Sequence, residues 1–454
     1  MKIKTISKSS YFTLHNVKTD SFDRVSIDTR EINQGDLFCA LKGEQTDGHE
    51  FIAEAISKGA KAALISEDKL NKNPNLRKYP LIICPDSLKG LRELAKIQAL
   101  QLKTKIIAIT GSAGKTSTRQ LTAHILSGSY NVSQSRKNFN NEIGLPISIL
   151  DIRQDSEYAV LEMGASRQGD IADLCRIVQP DYALITSISE AHIEGFGSLQ
   201  NVQKGKFELF NHTKEDGIIF INQDDPLIAE YPEKKFHRIT YSLKRPAAVT
   251  MTIFDIDSVG RYILDYKGTR IYLRSLGFGA AQNALAACAI AVTLNVPANQ
   301  IKRRLEEFEP PAGRGNIINQ DGVTIINDTY NANPLSVSIA IRILNEMKPG
   351  GKRILILGDM LEMGELSRLS HENIGAQIAS SRIDYLFCYG PETLNTIRMA
   401  RTLDMTNAIH FDSIQALNAT LKSIQKEGDI IYVKGSRGMA MERVVNDLTK
   451  GATS

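Results

Sequence analysis

Short apolar runs alternate along almost the whole chain with longer stretches in which apolar residues recur at helical spacing. The runs read as buried strands and the longer stretches as amphipathic helices. The pattern therefore predicts α/β layers on mostly parallel sheets. Three blocks stand out. The first holds strands at Arg24–Asp28, Leu37–Leu41, Ala62–Ile65 and Leu81–Cys84, with helices over Glu50–Lys58 and Ser87–Leu100. After the polar stretch Gln101–Thr104, the second holds strands Lys105–Thr110, Ala159–Glu162, Ala183–Thr186 and Gly217–Asn222, and helices such as Ile171–Val178. The texture then changes. From Arg238 to Leu276, Val, Ile, Thr and Tyr alternate without a helix period, which predicts an antiparallel meander appended to the parallel core. Helices over Ala281–Leu294 and Asn299–Phe308 close the block. Glu309-Pro-Pro-Ala-Gly313 reads as a linker, because paired prolines cannot continue a helix. The third block has strands Thr324–Asp328, Arg353–Leu357, Tyr385–Tyr389 and Ile430–Lys434, with helices Ser336–Met347, Glu372–Ser380 and Ile414–Lys426.

Length agrees with this division. A single core stops growing near ~250–300 residues, and the chain has 454. Three domains are expected, over 1–103, 104–312 and 313–454. Hydrophobic residues make up 42% and charged residues 23%, which excludes collagen-like and disordered classes. The net charge of +4 is too mild to suggest nucleic acid, and the absence of Trp argues against a stacking platform for single strands. Cys39, Cys84, Cys175, Cys288 and Cys388 are far apart and form no C-x-x-C pair, so neither zinc nor a disulfide framework is expected. The start, Met1–Phe12, lacks the apolar stretch of a signal peptide, and the longest apolar run, Ala284–Leu294, is about half a membrane span. A soluble cytoplasmic enzyme with no membrane span is expected. No heptad or patch points to an oligomer, and a monomer is expected.

The strongest chemical signal is Lys105-Ile-Ile-Ala-Ile-Thr-Gly-Ser-Ala-Gly-Lys-Thr-Ser117. An apolar strand enters a Gly-rich turn, and a helix-like segment, Ser117–Leu126, leaves it. That is the context of a nucleoside-triphosphate loop. Gly111, Ser112 and Gly114 let backbone N–H groups point at phosphate oxygens. Lys115 would neutralise the β- and γ-phosphates, the Thr116 hydroxyl would hold Mg²⁺, and Ser117 is a further nucleotide contact. Glu162 ends a strand in the same sheet. It suits a metal carboxylate and a solvated, helix-capping Glu equally well. His192 follows another strand end, where a polar loop residue and a ligand are both plausible. Lys206 reads as an ordinary surface lysine and Arg314 as a linker charge. Asp328, at a strand end, suits a ribose contact or a turn cap.

In order along the chain these pieces resemble the Mur ligase family of ATP-dependent amide-forming enzymes of peptidoglycan synthesis. Ser26-Ile-Asp-Thr-Arg30 and Asp47-Gly-His49 are similar to its uridine-diphosphate-binding domain, and Thr110–Thr116 to its ATP loop. Asn138-Phe-Asn-Asn-Glu-Ile-Gly-Leu-Pro146 and Glu162-Met-Gly-Ala165 follow. Asp328-Thr-Tyr-Asn-Ala-Asn-Pro334, Leu357-Gly-Asp-Met-Leu-Glu-Met-Gly364 and Val433-Lys-Gly-Ser-Arg-Gly-Met439 resemble the branch that adds D-alanyl-D-alanine.

The resemblance implies an α/β fold of three domains. These are a small amino-terminal domain for the UDP-substrate, a central P-loop-type sheet with appended antiparallel strands, and a Rossmann-like carboxy-terminal domain closing on ATP. It implies ATP and two Mg²⁺ as cofactors, and UDP-N-acetylmuramoyl-tripeptide and D-alanyl-D-alanine as partners. Thr116 and Glu162 match the holders of one Mg²⁺. His192 and a carbamylated Lys206 match those of the second. Lys115, His192 and Lys206 are the implied catalytic set. Asn283 and Arg314 match nucleotide contacts and Asp328 a ribose contact. Ser26, Thr29, Arg30, Asp47, His49, Asn138, Asn140, Asn141, Asn331 and Asn333 are the implied substrate contacts. Two places depart from the family: Ser117 stands where it often has Thr, keeping the hydroxyl, and in Gly277-Phe-Gly-Ala-Ala-Gln-Asn-Ala-Leu-Ala-Ala287, Gly279 and Ala280 replace the usual His and Asn, while Asn283 remains. Competing readings are another amide ligase of the family, including the folate-polyglutamate type, and a P-loop regulator that hydrolyses ATP only to change shape.

Overall fold

The computed structural model describes residues 1–43, 46–136, 138–190, 193–232 and 235–449, without the side chain of Ile193. Three separate sheet systems follow one another along the chain. The first is a five-stranded mixed sheet in the order Thr13–His15, Leu81–Cys84, Ala62–Ser66, Leu37–Cys39, Val25–Ser26. Its first strand is antiparallel and the rest are parallel. Ala62–Ser66 is buried at every residue, as expected of a central strand with both faces covered. The helix Ser87–Ala99 starts where the Asp86 side chain accepts from Lys89 N at 2.8 Å, and it buries Leu91, Leu94 and Ala95.

The second system is a seven-stranded parallel sheet. Its order is Val249–Thr250, His237–Ser242, Ile218–Asn222, Tyr182–Ile185, Lys105–Thr110, Tyr158–Glu162, Val132–Gln134. The chain runs out from Lys105–Thr110 to one side and then to the other, so the carboxyl end of that strand is a topological switch point. The apolar helix Gly277–Thr293 packs on one face of this sheet, and every residue of its Ala284–Ala291 turns is buried.

The meander expected from Arg238 begins later than the alternation suggests. His237–Ser242 pairs in parallel with Ile218–Asn222 and belongs to the central sheet. Period-two alternation fits a strand near a sheet edge as well as an antiparallel one, so the pattern could not separate them. The antiparallel part is Thr252–Ile256, Arg261–Tyr266 and Thr269–Leu276. Its second turn, Lys267-Gly268, has φ of 51° and 81°, the mirror-type turn that a tight hairpin requires.

The third system is a six-stranded sheet ordered Asn316–Gln320, Val323–Asp328, Ile430–Lys434, Arg353–Gly358, Tyr385–Tyr389, Ala408–Phe411. Only its first strand is antiparallel. Contacts also cross between the systems. Phe139, Ile143 and Ile147 pack into the amino-terminal core with Leu91 and Leu94. Tyr262 donates to Glu346 at 3.0 Å, and Leu276 joins the carboxy-terminal core. All five cysteines are free and buried, each on a strand or helix. No described helix is long and apolar enough to cross a membrane.

Candidate active site

The loop after Lys105–Thr110 is shaped by two glycines. Gly111 has φ +146° and a Cβ there would lie 2.0 Å from Thr186 Oγ1. Gly114 has φ +80° and a Cβ there would lie 2.5 Å from Asn283 Oδ1. Both positions therefore demand glycine for space and for backbone conformation. The helix Lys115–Leu126 follows directly, aiming its N-terminal N–H groups at the loop. Lys115 Nζ donates to Gly111 O at 2.7 Å, and burial lowers its pKa. Ser112 Oγ exchanges hydrogen bonds with Ser189 (3.0 and 2.9 Å), which ties the loop to the segment after Tyr182–Ile185.

Thr116 and Glu162 meet at the ends of neighbouring elements. Thr116 Oγ1 donates to Glu162 Oε2 at 2.8 Å, and Asn140 Nδ2 donates to Glu162 Oε1 at 2.8 Å. Glu162 is 2% exposed, a burial that a carboxylate tolerates only with partners of this kind. Arg119, 1% exposed, sets its Nε 3.5 Å from Glu162 Oε2 and donates from Nη1 to Gln134 Oε1 and Ser135 O. Arg119 carries no motif of its own in the sequence. Its spacing from Thr116, one helical turn, was the available signal.

Lys206 is not the surface residue its sequence context suggests. It lies on the helix Leu199–Asn211 and is 2% exposed. Burial, and then the charge of Lys115, push its pKa down to about 7. Its Nζ sits 5.5 Å from the centroid of the Phe196 ring, and the charges of Asp170 and Glu208 offset only part of the shift. His192 lies outside the described residues.

A cleft of about 1190 Å³ runs between the central and carboxy-terminal sheets. It gathers Gly114, Lys115, Thr116, Ser117, Glu162 and Asn283 from one side, and Arg314, Asp328, Asn331 and Asn333 from the other. Arg314 Nη2 reaches Thr116 Oγ1 at 3.1 Å, with its guanidinium carbon 4.0 Å from the Tyr330 ring centroid. Asp328 accepts from Lys434 Nζ (2.7 Å) and Tyr432 Oη (3.0 Å), and Lys434 also donates to Asn331 O. Asn333 uses its side chain to cap the helix Pro334–Glu346, paired with Ser336. Asn141 likewise accepts from Gly144 N at 2.9 Å, while Asn138 and Asn140 line the cleft. At Gly279 the wall is open: a Cβ there would find only Ile339 Cδ1, at 4.0 Å.

The amino-terminal candidates sit elsewhere. Ser26 Oγ donates to Asp28 O, while Thr29 and the exposed Arg30 form a short turn that Asp28 caps. Asp47 bonds His49 Nδ1 (2.6 Å) and Lys69 Nζ (2.5 Å), and His49 Nε2 accepts from Ser66 N. His49 and Lys69 border a smaller cavity of about 230 Å³ that shares no lining residue with the main cleft.

Chemically, Thr116 and Glu162 offer the hard oxygen donors that Mg²⁺ takes. Among the described residues no group of three or more His, Cys, Asp or Glu converges as a ready metal site.

Comparison with known proteins agrees with this geometry. The Mur ligase middle domain model matches residues 109–291, the Mur ligase glutamate ligase domain model 313–437, and the Mur ligase family catalytic domain model 21–98. The UDP-N-acetylmuramoyl-tripeptide–D-alanyl-D-alanine ligase of Bacillus subtilis (strain 168) is 33% identical, with 100% of this chain and 99% of the relative aligned. That of Escherichia coli (strain K12) is 34% identical over 95% of each. The crystal structure of MurF from Acinetobacter baumannii superposes with a TM-score of 0.87 at 28% identity, covering 99% of this chain and 98% of that one. The MurF ligase of Thermotoga maritima in complex with ADP gives 0.81 at 29% identity, covering 94% and 98%. This chain belongs to the Mur ligase family.

Proposed function

We propose that this protein is an ATP-dependent ligase that joins D-alanyl-D-alanine to UDP-N-acetylmuramoyl-tripeptide, releasing ADP and phosphate. The observation that carries the proposal is the single cleft in which Lys115, Thr116, Glu162 and Arg314 meet, in a chain aligned end to end with ligases of that name. In the first step a terminal carboxylate oxygen of the tripeptide attacks the γ-phosphorus of ATP. The bond to the β-phosphate oxygen breaks, leaving an acyl phosphate and ADP. In the second, the dipeptide amine attacks the acyl carbon, loses a proton, and expels inorganic phosphate.

The physical obstacle is the approach of two anions. Lys115 and the N–H groups of the Gly111–Thr116 turn offset the phosphate charge, and Arg314 adds a cation from the opposite wall. Thr116 and Glu162 would hold one Mg²⁺, and His192 with a carbamylated Lys206 the second. Bound there, the metal would neutralise phosphate charge and polarise the phosphoryl group. A pKa near 7 favours the carbamate reading. Only a neutral amine adds to CO₂, and burial keeps much of Lys206 neutral at physiological pH. Asn283 and Arg314 serve the nucleotide and Asp328 the ribose, with Lys434 fixing its carboxylate. Asn138, Asn140, Asn331 and Asn333 border the peptide path. Ser26, Thr29, Arg30, Asp47 and His49 serve the uridine end.

The seams of the division fall near 103 and 312. An enzyme using ATP and a UDP-linked precursor works in the cytoplasm, and we propose the same for this chain, as a monomer. Mass spectrometry of the product from the UDP-tripeptide, D-alanyl-D-alanine and ATP tests the proposal. A product heavier by one dehydrated dipeptide is expected. Phosphate release that needs neither carboxylate nor amine would overturn it.

A further inference from the structure

The smaller cavity and the main cleft share a partition. Leu88 and Ile143 border the small cavity, while Arg92 and Glu142 border the cleft. Arg92 lies one helical turn after Leu88, and Glu142 is next to Ile143 in the chain. Arg92 Nη2 donates to Glu142 Oε2, so one ion pair ties together the two elements that border both spaces. Arg92 is also the one residue of the amino-terminal block that borders the cleft among its lining residues. Its guanidinium is incompletely used: Nε is buried and has no hydrogen-bond partner. Glu142 is the freer member, with 55% of its side chain exposed against 29% for Arg92.

We infer that Arg92 is a substrate-binding residue that exchanges Glu142 for a carboxylate of the peptide chain as the substrate passes from the small cavity into the cleft. The inference rests on the reading that the uridine end is held by the amino-terminal sheet. A substrate anchored there and reacting beside Lys115 must cross this partition. A guanidinium whose present anion is a half-exposed side chain is suited to exchange it for another carboxylate, because the planar fork takes carboxylates two bonds at a time. Glu142 then acts as a competing intramolecular anion. Removing it should help the substrate, and removing Arg92 should harm it.

The test compares Arg92→Ala, Arg92→Lys and Glu142→Gln in the full chain by steady-state kinetics, and by calorimetric titration with the UDP-tripeptide and with UDP alone. Arg92→Ala should raise KM for the UDP-tripeptide at least tenfold, with KM for ATP and kcat little changed, and Arg92→Lys should recover part of the loss. Glu142→Gln should leave that KM equal or lower. UDP alone should bind all three variants like the parent. If both single removals raise KM together, or lower kcat and the melting temperature together, the pair is a structural brace and the inference falls. If UDP alone fails to bind the parent chain, the anchoring reading itself fails, whatever the variants do.

Discussion

Arg314 Nη2 donates to Thr116 Oγ1 across 3.1 Å, joining residues 198 positions apart in the chain. The same hydroxyl donates to Glu162. One hydrogen-bonded chain thus runs from the carboxy-terminal wall of the cleft, through the phosphate loop, to the end of a central strand. Arg314 also rests on Tyr330, so its side chain is held by a ring contact as well as by the hydrogen bond. Replacing it by alanine removes a charged donor aimed at the phosphate site. Charged hydrogen bonds contribute about 1.5–3 kcal/mol, so Arg314→Ala should weaken ATP binding by roughly 10- to 100-fold. Equilibrium binding of a fluorescent ADP analogue checks this.

Lys115→Ala should reduce acyl phosphate formation by on the order of 10³-fold or more, the scale of a lost phosphate-facing cation. UDP-substrate binding should survive, because the small amino-terminal cavity is separate from the phosphate loop. Rapid-quench measurement of the acyl phosphate, beside a titration with the UDP-tripeptide, separates the two effects.

For Lys206 the expected signature is chemical rescue. Lys206→Ala should be inactive, and acetate or formate should restore part of the activity by supplying the missing carboxylate. High activity without any added carboxylate would mean that the buried amine has no part in the chemistry.

Gly114→Ala places a methyl group 2.5 Å from Asn283 Oδ1 at a backbone φ of +80°. The left-handed conformation alone costs an L-residue about 1–2 kcal/mol. Asn283 must also move, and it is the acceptor for Thr118 Oγ1 at 3.0 Å. A lower melting temperature and weaker ADP binding should appear together, by scanning fluorimetry with and without ADP.

Asp47 gives a pH dependence. Burial pushes its carboxyl up, but hydrogen bonds from Lys69 and His49 outweigh that and hold it well below the usual carboxylate range. A folded pKa below the unfolded value adds stability that is complete above the unfolded pKa of ~3.9 and is lost as pH falls further. Asp47→Asn should therefore cost on the order of 1–3 kcal/mol at neutral pH. Its deficit against the parent should shrink below pH ~4. Urea unfolding at a series of pH values measures the gap.

Much of this site is legible before any coordinates. Lys105–Thr110 and the turn after it announce themselves by an apolar run ending in glycines, because a phosphate loop is a local object. Glu162 and Asp328 are legible as strand ends. Lys206 is not, since its burial comes from packing beside Phe196 and the loop, which no local pattern encodes. The role of Arg92 is hidden for the same reason: it depends on Glu142, 50 positions away. His237–Ser242 shows the limit for strands. Alternation reports which face is covered, and pairing direction is decided by the neighbour.

The buried cysteines give the molecule a set of native reporters. Cys39 and Cys84 lie in the amino-terminal sheet, Cys175 and Cys288 in the central part, and Cys388 in the carboxy-terminal sheet. Burial pushes all five thiols up, Cys84, Cys175 and Cys288 to about 12, so the folded chain presents almost no thiolate. An alkylating reagent therefore labels a thiol only when its own part of the chain opens. Mapping the labelled peptides over time would show which part of the fold loosens first, and which part a bound nucleotide locks.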